Sequence, residues 1–111
     1  KVEGTYLTEN RKYLVDILRK EWGYENVVMT DWWTKKAKNP LFKGVDDNAY
    51  RVRAGVDVLM PGGSRVRGKY DGSTLKSLNN GGIKRSELQR TARHVLSFLL
   101  KVQSVRDKIE K

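Results

Sequence analysis

The sequence predicts an α/β fold organised on one parallel βαβ unit, with flanking helices and a long C-terminal helix. Three observations carry this expectation. Val27, Val28 and Met29 form a continuous apolar run too short for a helix, as a strand buried on both faces would show, and Val56 to Met60 reads as a second strand, stopped by Pro61 and two glycines. Between them, Asp46 or Asp47 can cap a short helix through Tyr50, Val52 and Ala54 that Gly55 closes, giving the crossover that parallel strands need. Finally, Leu88, Ala92, Val95, Leu99 and Val102 step by four and three along one helical face.

Taken in order, residues 1–8 are aperiodic and lead as a loop into a helix over Asn10 to Trp22. Thr8 or Asn10 serves as its N-cap, Glu9 suits the positive helix start, and Leu14, Ile17, Leu18 and Trp22 follow helical spacing. Gly23 supplies a left-handed stop. The first strand covers Asn26 to Thr30. Trp32 to Asp46 holds Pro40, Gly44 and four Lys and reads as a long polar loop, a length that compact domains keep for functional or disordered segments. Gly62 to Gly72 is a second basic loop. Ser73 caps a short helix carrying Leu75 and Leu78, which ends at Asn79-Asn80-Gly81-Gly82. Ser86 with Gln89 reads as the capping box of the last helix. Residues 104–111 are charged enough for a linker or frayed tail.

With 111 residues, 38% of them hydrophobic, the chain has room for one core. Its 23 Lys and Arg give a net charge of +10 but are scattered from end to end, which favours a solvated surface over a polyanion site. Nucleic acid is therefore not the expected partner, although a small basic module for nucleic acid or another polyanion is the alternative reading that the charge keeps open. The absence of cysteine excludes a disulfide framework and thiolate zinc sites. No apolar segment approaches the ~20 residues that span a bilayer, and no signal-peptide pattern opens the chain, so no membrane partner is expected. The chain starts without Met inside a loop, as an excised piece would. There is no internal repeat, and no cofactor or metal-ligand cluster is implied.

The chemistry-bearing candidate is Asp31, in the stretch "NVVMTDWW". An acid where a buried parallel strand emerges sits on the face where barrel and open-sheet enzymes build their sites; equally, it can cap the following turn. Trp32 and Trp33 offer indole faces on which a sugar ring can stack, or one of them packs into the core. His94 reads as a surface residue, lacking a Ser, Cys or second His in register. The Arg65, Arg67 and Lys69 alternation suits a phosphate or carboxylate but lacks the aromatic interleaving of a nucleic-acid site. Gly62-Gly63 and Gly81-Gly82 read as turns, having neither phosphate-loop nor dinucleotide spacing.

In combination, "YLVDILRKEWGYENVVMTDWW", "VRAGVDVLMPGG" and "IKRSELQRTARHVLSFLLK" resemble, in order, the C-terminal part of the catalytic barrel domain of glycoside hydrolase family 3, the β-glucosidase-like retaining enzymes. The resemblance implies a partial (β/α)8 barrel fragment, with residues 1–111 as a single partial domain. It assigns Asp31, in Thr30-Asp31-Trp32 where the family usually has Ser-Asp-Trp, as catalytic nucleophile, with Trp32 and Trp33 lining the sugar subsite. Retaining hydrolysis needs a second carboxyl as acid/base. In the family this lies in a following domain, so Glu9, Glu21, Glu25 and Glu87 are not promoted to that role. The implied partners are a β-glucoside or related carbohydrate, together with the upstream barrel and downstream domain of the same parent chain. Without them the fragment is expected to be inactive. The loops Trp33 to Asp46 and Arg65 to Asp71 depart from a minimal family member and leave the sugar open among β-glucoside, β-xyloside, α-arabinoside and N-acetylhexosaminide.

Overall fold

The computed structural model describes residues 1–32, 47–60 and 73–111. After a 3-10 turn at Leu7–Glu9, the first helix runs over Lys12–Glu21 as a π-helix. Its i→i+5 pattern continues into the end of the element, where the Trp22 N–H donates to Ile17 O at 2.9 Å. Neither Thr8 nor Asn10 caps it; Arg11 occupies the N-cap position with no side-chain cap bond. The wider turn changes which residues face inward: Leu14 and Val15 are buried, whereas Trp22 is 72% exposed. Gly23, at φ 71°, supplies the expected left-handed stop.

Among the described residues, three main helices follow: α1, Asp47–Ala54; α2, Ser73–Asn79; and α3, Arg85–Lys101. A fourth, α4, covers Gln103–Ile109 after an extended Val102 breaks the run. α1 ends as its sequence dictates. Val56 N–H donates to Arg51 O and Gly55 N–H to Val52 O, at 3.0 and 3.1 Å, the Schellman pattern with Gly55 at the left-handed position. That turn delivers Val56 directly into the core, which Leu14, Ala54 and Val56 form with Val28 and Leu59 packed against them.

Gly55 is constrained twice. Its φ is +116°, and an added Cβ would lie 2.9 Å from Val15 Cγ2 and 3.4 Å from Leu14 Cβ. Gly55→Ala is expected to cost about 2–4 kcal/mol through strain and overpacking, read as a fall in Tm of roughly 10–20 °C. An unchanged Tm would refute the close packing of this turn on the π-helix.

The expected α/β architecture is not what the described residues adopt. They are mostly helical, contain no strand, and lack a βαβ unit; the two segments expected to be strands pair through a single parallel bridge, Met29 with Val58. The hydrogen bonds show why the ladder stops. Val58 N–H donates to Val28 O and Thr30 N–H to Val58 O, at 3.1 and 3.0 Å, which completes one bridge. Extension would require Val28 N–H to reach Val56 O and Met60 N–H to reach Thr30 O. Instead Val28 N–H donates to Asp57 Oδ2 at 3.0 Å and Met60 N–H to Thr30 Oγ1 at 2.8 Å. Side chains intercept the ladder in both directions.

α3 begins two residues before the Ser86 capping box expected from the sequence. Lys84 is the N-cap, and the Glu87 carboxylate accepts its N–H at 2.7 Å. The docking face differs too. Ala92 and Leu99 of the expected apolar stripe are exposed, whereas Glu87, Arg90 and His94 reach Arg53, the Val52 carbonyl and Asp57. α3 is thus held against the molecule by a polar stripe, because buried donors and acceptors left by α1 and the bridge need partners.

Candidate functional site

The bridge positions the candidate acid. Thr30 is buried at 5% exposure, and both its N–H and its hydroxyl bond the facing segment at Val58 and Met60. The chain therefore leaves the core at a fixed point. The next residue, Asp31, is exposed, and its Oδ1 accepts the Trp32 N–H at 2.7 Å. The carboxylate thus makes a turn-capping contact of the kind its sequence position allows, while staying open to solvent. Trp32 is 49% exposed, so its indole is not a core residue. Trp33 lies outside the described residues, as do Arg65, Arg67, Lys69 and both loops expected to select substrate.

Behind Asp31 lies an ion network that the sequence reading did not assign. Asp57 sits level with Val28, so it is about 10 Å below Asp31 along the extended chain at ~3.3 Å per residue. Its side chain is fully buried. Oδ2 accepts from Arg19 Nη2 at 2.5 Å as well as from the Val28 N–H, and Oδ1 lies 2.7 Å from His94 Nδ1. Arg19 Nη1 also donates to Asn26 O at 3.0 Å. One carboxylate thereby joins the π-helix, both bridge segments and α3. His94 is accordingly not a surface residue but a partner of a buried acid. The signal was present in "AGVDVLM": an acid inside a buried apolar run requires cationic or amide partners, and His94 stands a helical turn beyond Arg90 on the same face as Glu87.

Chemically, the described site offers an accessible carboxylate on a braced segment, flanked by an indole. A carboxylate so placed can attack an electrophilic carbon, and an indole can cover the apolar face of a ring. Among the described residues, no group of His, Cys, Asp and Glu could hold a metal ion.

Comparison with known proteins gives this geometry a context. The family described as glycosyl hydrolase family 3 N terminal domain matches residues 1–98. A β-glucosidase of Rhizobium radiobacter is 34% identical over 102 residues, which cover 92% of this chain and 11% of the relative. Among solved structures, β-glucosidase 3B of Thermotoga neapolitana, in complex with glycerol, matches with a TM-score of 0.73 at 28% identity over 95% of this chain and 14% of its own. The family 3 β-glucosidase of Bifidobacterium adolescentis matches with a TM-score of 0.66 at 30% identity, over 88% of this chain and 12% of its own. The chain thus spans only 11% of the length of that Rhizobium radiobacter relative, and 10% of that of a probable β-glucosidase I of Emericella nidulans, which is 33% identical over 99 residues covering 89% of this chain.

Proposed function

The chain belongs to glycosyl hydrolase family 3, in its N-terminal domain, and from that premise we propose that it is the nucleophile-bearing part of a longer retaining β-glycosidase. In this reading residues 1–111 form one partial domain, and residues 104–111 lead out of it. Asp31 attacks the anomeric carbon and forms the glycosyl-enzyme intermediate. Trp32 and Trp33 line the sugar subsite. The observation that carries the reading is the exposed Asp31 carboxylate, one residue beyond the buried and doubly bonded Thr30, within a family match that spans it.

The chemistry divides between this chain and the remainder of the protein. Displacement at an anomeric centre with retention needs a carboxylate nucleophile and, ~5–5.5 Å away, a carboxyl that protonates the leaving oxygen. Asp31 supplies the first. The second comes from polypeptide outside these residues, so the 111-residue chain alone does not turn over substrate. Bracing by Thr30 serves the attack because a nucleophile held near its reacting geometry loses little freedom at the transition state. The substrate class is a terminal β-linked sugar, with β-glucoside first.

Two measurements test this together. The purified 111-residue chain is expected to release no aryl alcohol from an aryl β-glucoside. The longer protein, treated with an activated 2-fluoro glucoside, is expected to carry the fluorosugar on Asp31, located by peptide mass spectrometry. Turnover by the isolated chain that Asp31→Asn abolishes would overturn the division of labour; a label on another carboxylate would overturn the role of Asp31.

A further inference from the structure

Where the start of α3 meets α1 and the start of the π-helix, Arg11, Arg53, Lys84, Ser86, Glu87 and Arg90 line an open recess of about 560 Å³. Four of these six side chains are cationic and one is acidic. The acid is already engaged: Glu87 Oε1 accepts from Arg53 Nε at 3.1 Å, and Oε2 accepts the Lys84 N–H at 2.7 Å. Partial burial works to raise the Glu87 pKa, but the Lys84 N–H and the Arg53 and Arg90 guanidinium groups outweigh it and hold the carboxyl below its ordinary value. Arg53 is further fixed by donating to the Gly82 carbonyl. Arg53 and Glu87 therefore cancel, and the recess keeps the charges of Arg11, Lys84 and Arg90.

Those three cations differ in exposure and anchoring. Arg90 is half-buried and anchored, with Nη2 on the Val52 carbonyl and Nε buried without a hydrogen-bond partner. Arg11 and Lys84 are exposed, and among the described residues no ion pair engages either of them. Burial first, and then the nearby Arg11 charge, push the Arg90 pKa below its ordinary value, so the cations crowd one another around the recess. An anchored guanidinium with two exposed cations across a concave wall is a donor set suited to an oxyanion, which relieves that crowding and accepts several N–H bonds at once. The Ser86 hydroxyl at the opening turn of the 17-residue α3 adds a neutral donor.

We propose that this recess binds a compact multivalent oxyanion of the phosphate or sulfate type, with Arg90 as the fixed donor and Arg11 and Lys84 closing over it. The site is independent of the Asp31 chemistry. It is also distinct from diffuse attraction of polyanions by net charge, because it depends on particular cations rather than on the total.

The probe is inorganic phosphate, with inorganic sulfate in a second arm and chloride at matched ionic strength in a third. Amide chemical shifts of the 111-residue chain are followed by two-dimensional NMR. Saturable shifts at Lys84, Ser86 and Glu87 with phosphate or sulfate, and none with chloride, are expected. The double substitution Arg11→Gln and Lys84→Gln, at exposed positions that leave the fold intact, weakens binding about fivefold, the size of two exposed charge contacts. Lys108→Gln, on α4, leaves it unchanged. Linear, unsaturated shifts, an equal response to chloride, or equal weakening by Lys108→Gln and the double substitution would each overturn the site.

Discussion

Asp31→Asn, made in the longer protein proposed above, is expected to lower kcat/KM for an aryl β-glucoside by on the order of 10^4-fold or more, the scale of losing a covalent nucleophile. The substitution is nearly isosteric. Asn keeps an oxygen that can accept the Trp32 N–H bonded by Asp31, so the turn is retained while the attacking charge is lost. Substrate binding changes little, because the indole and hydroxyl contacts of a sugar subsite do not depend on the attack. The loss should therefore fall on kcat rather than KM. A second variant isolates the chemistry from the fold: Asp31→Gly opens the space that the carboxylate filled, and added azide can then attack the anomeric carbon from the same face. The product expected from an activated β-glucoside is the α-glycosyl azide. Activity within tenfold of the parent in Asp31→Asn, or a β-configured azide from Asp31→Gly, would remove Asp31 from the mechanism.

The second large effect is structural. Asp57→Ala takes the acceptor away from Arg19, His94 and the Val28 N–H together. The Arg19 side chain is only 11% exposed, so its guanidinium would remain largely desolvated without its counter-charge. Breaking a buried pair from one side typically costs about 3–5 kcal/mol, a large part of the 5–15 kcal/mol that holds a typical domain together. In urea the midpoint of the 111-residue chain should fall by about 2 M, given slopes of roughly 1–3 kcal/mol per M. Asp57→Asn keeps an acceptor for the Val28 N–H and should lose less. If Asp57→Ala left the midpoint in place, the network would be ornamental, and the bracing of the segment behind Asp31 would need another source.

These two residues divide the molecule in an instructive way. Both acids terminate or interrupt apolar runs, yet only Asp31 stands out in the sequence. Its place after "VVMT" and before two Trp residues is a local signal, and the family motif sharpens it. Asp57 carries no motif; its meaning lies in Arg19 and His94, 38 and 37 residues away in the chain. The same contrast holds for helices. α1 and its Gly55 stop follow from rules that act over five or six residues, and the structure agrees with them. The docking face of α3 does not follow from such rules. Its apolar period pointed to one stripe, whereas buried hydrogen-bonding groups elsewhere drew in another, and unmet buried donors outweigh the gain from covering a few half-exposed aliphatic carbons.

By itself, the amino-acid order determined the family, the order of the helices from the first to α3, the closing turns at Gly23 and Gly55, and an exposed acid directly after the first apolar run. Such features are encoded locally, in capping chemistry, left-handed turns and short motifs. Tertiary structure alone decided that the two apolar runs meet in one bridge instead of a sheet, that the first helix winds as a π-helix, and that α3 docks through charge. The physical reason is competition for backbone donors. Asp57 takes the Val28 N–H from across the bridge, and Thr30 takes that of Met60. Which acceptor wins depends on groups that only folding brings within 3 Å of each other.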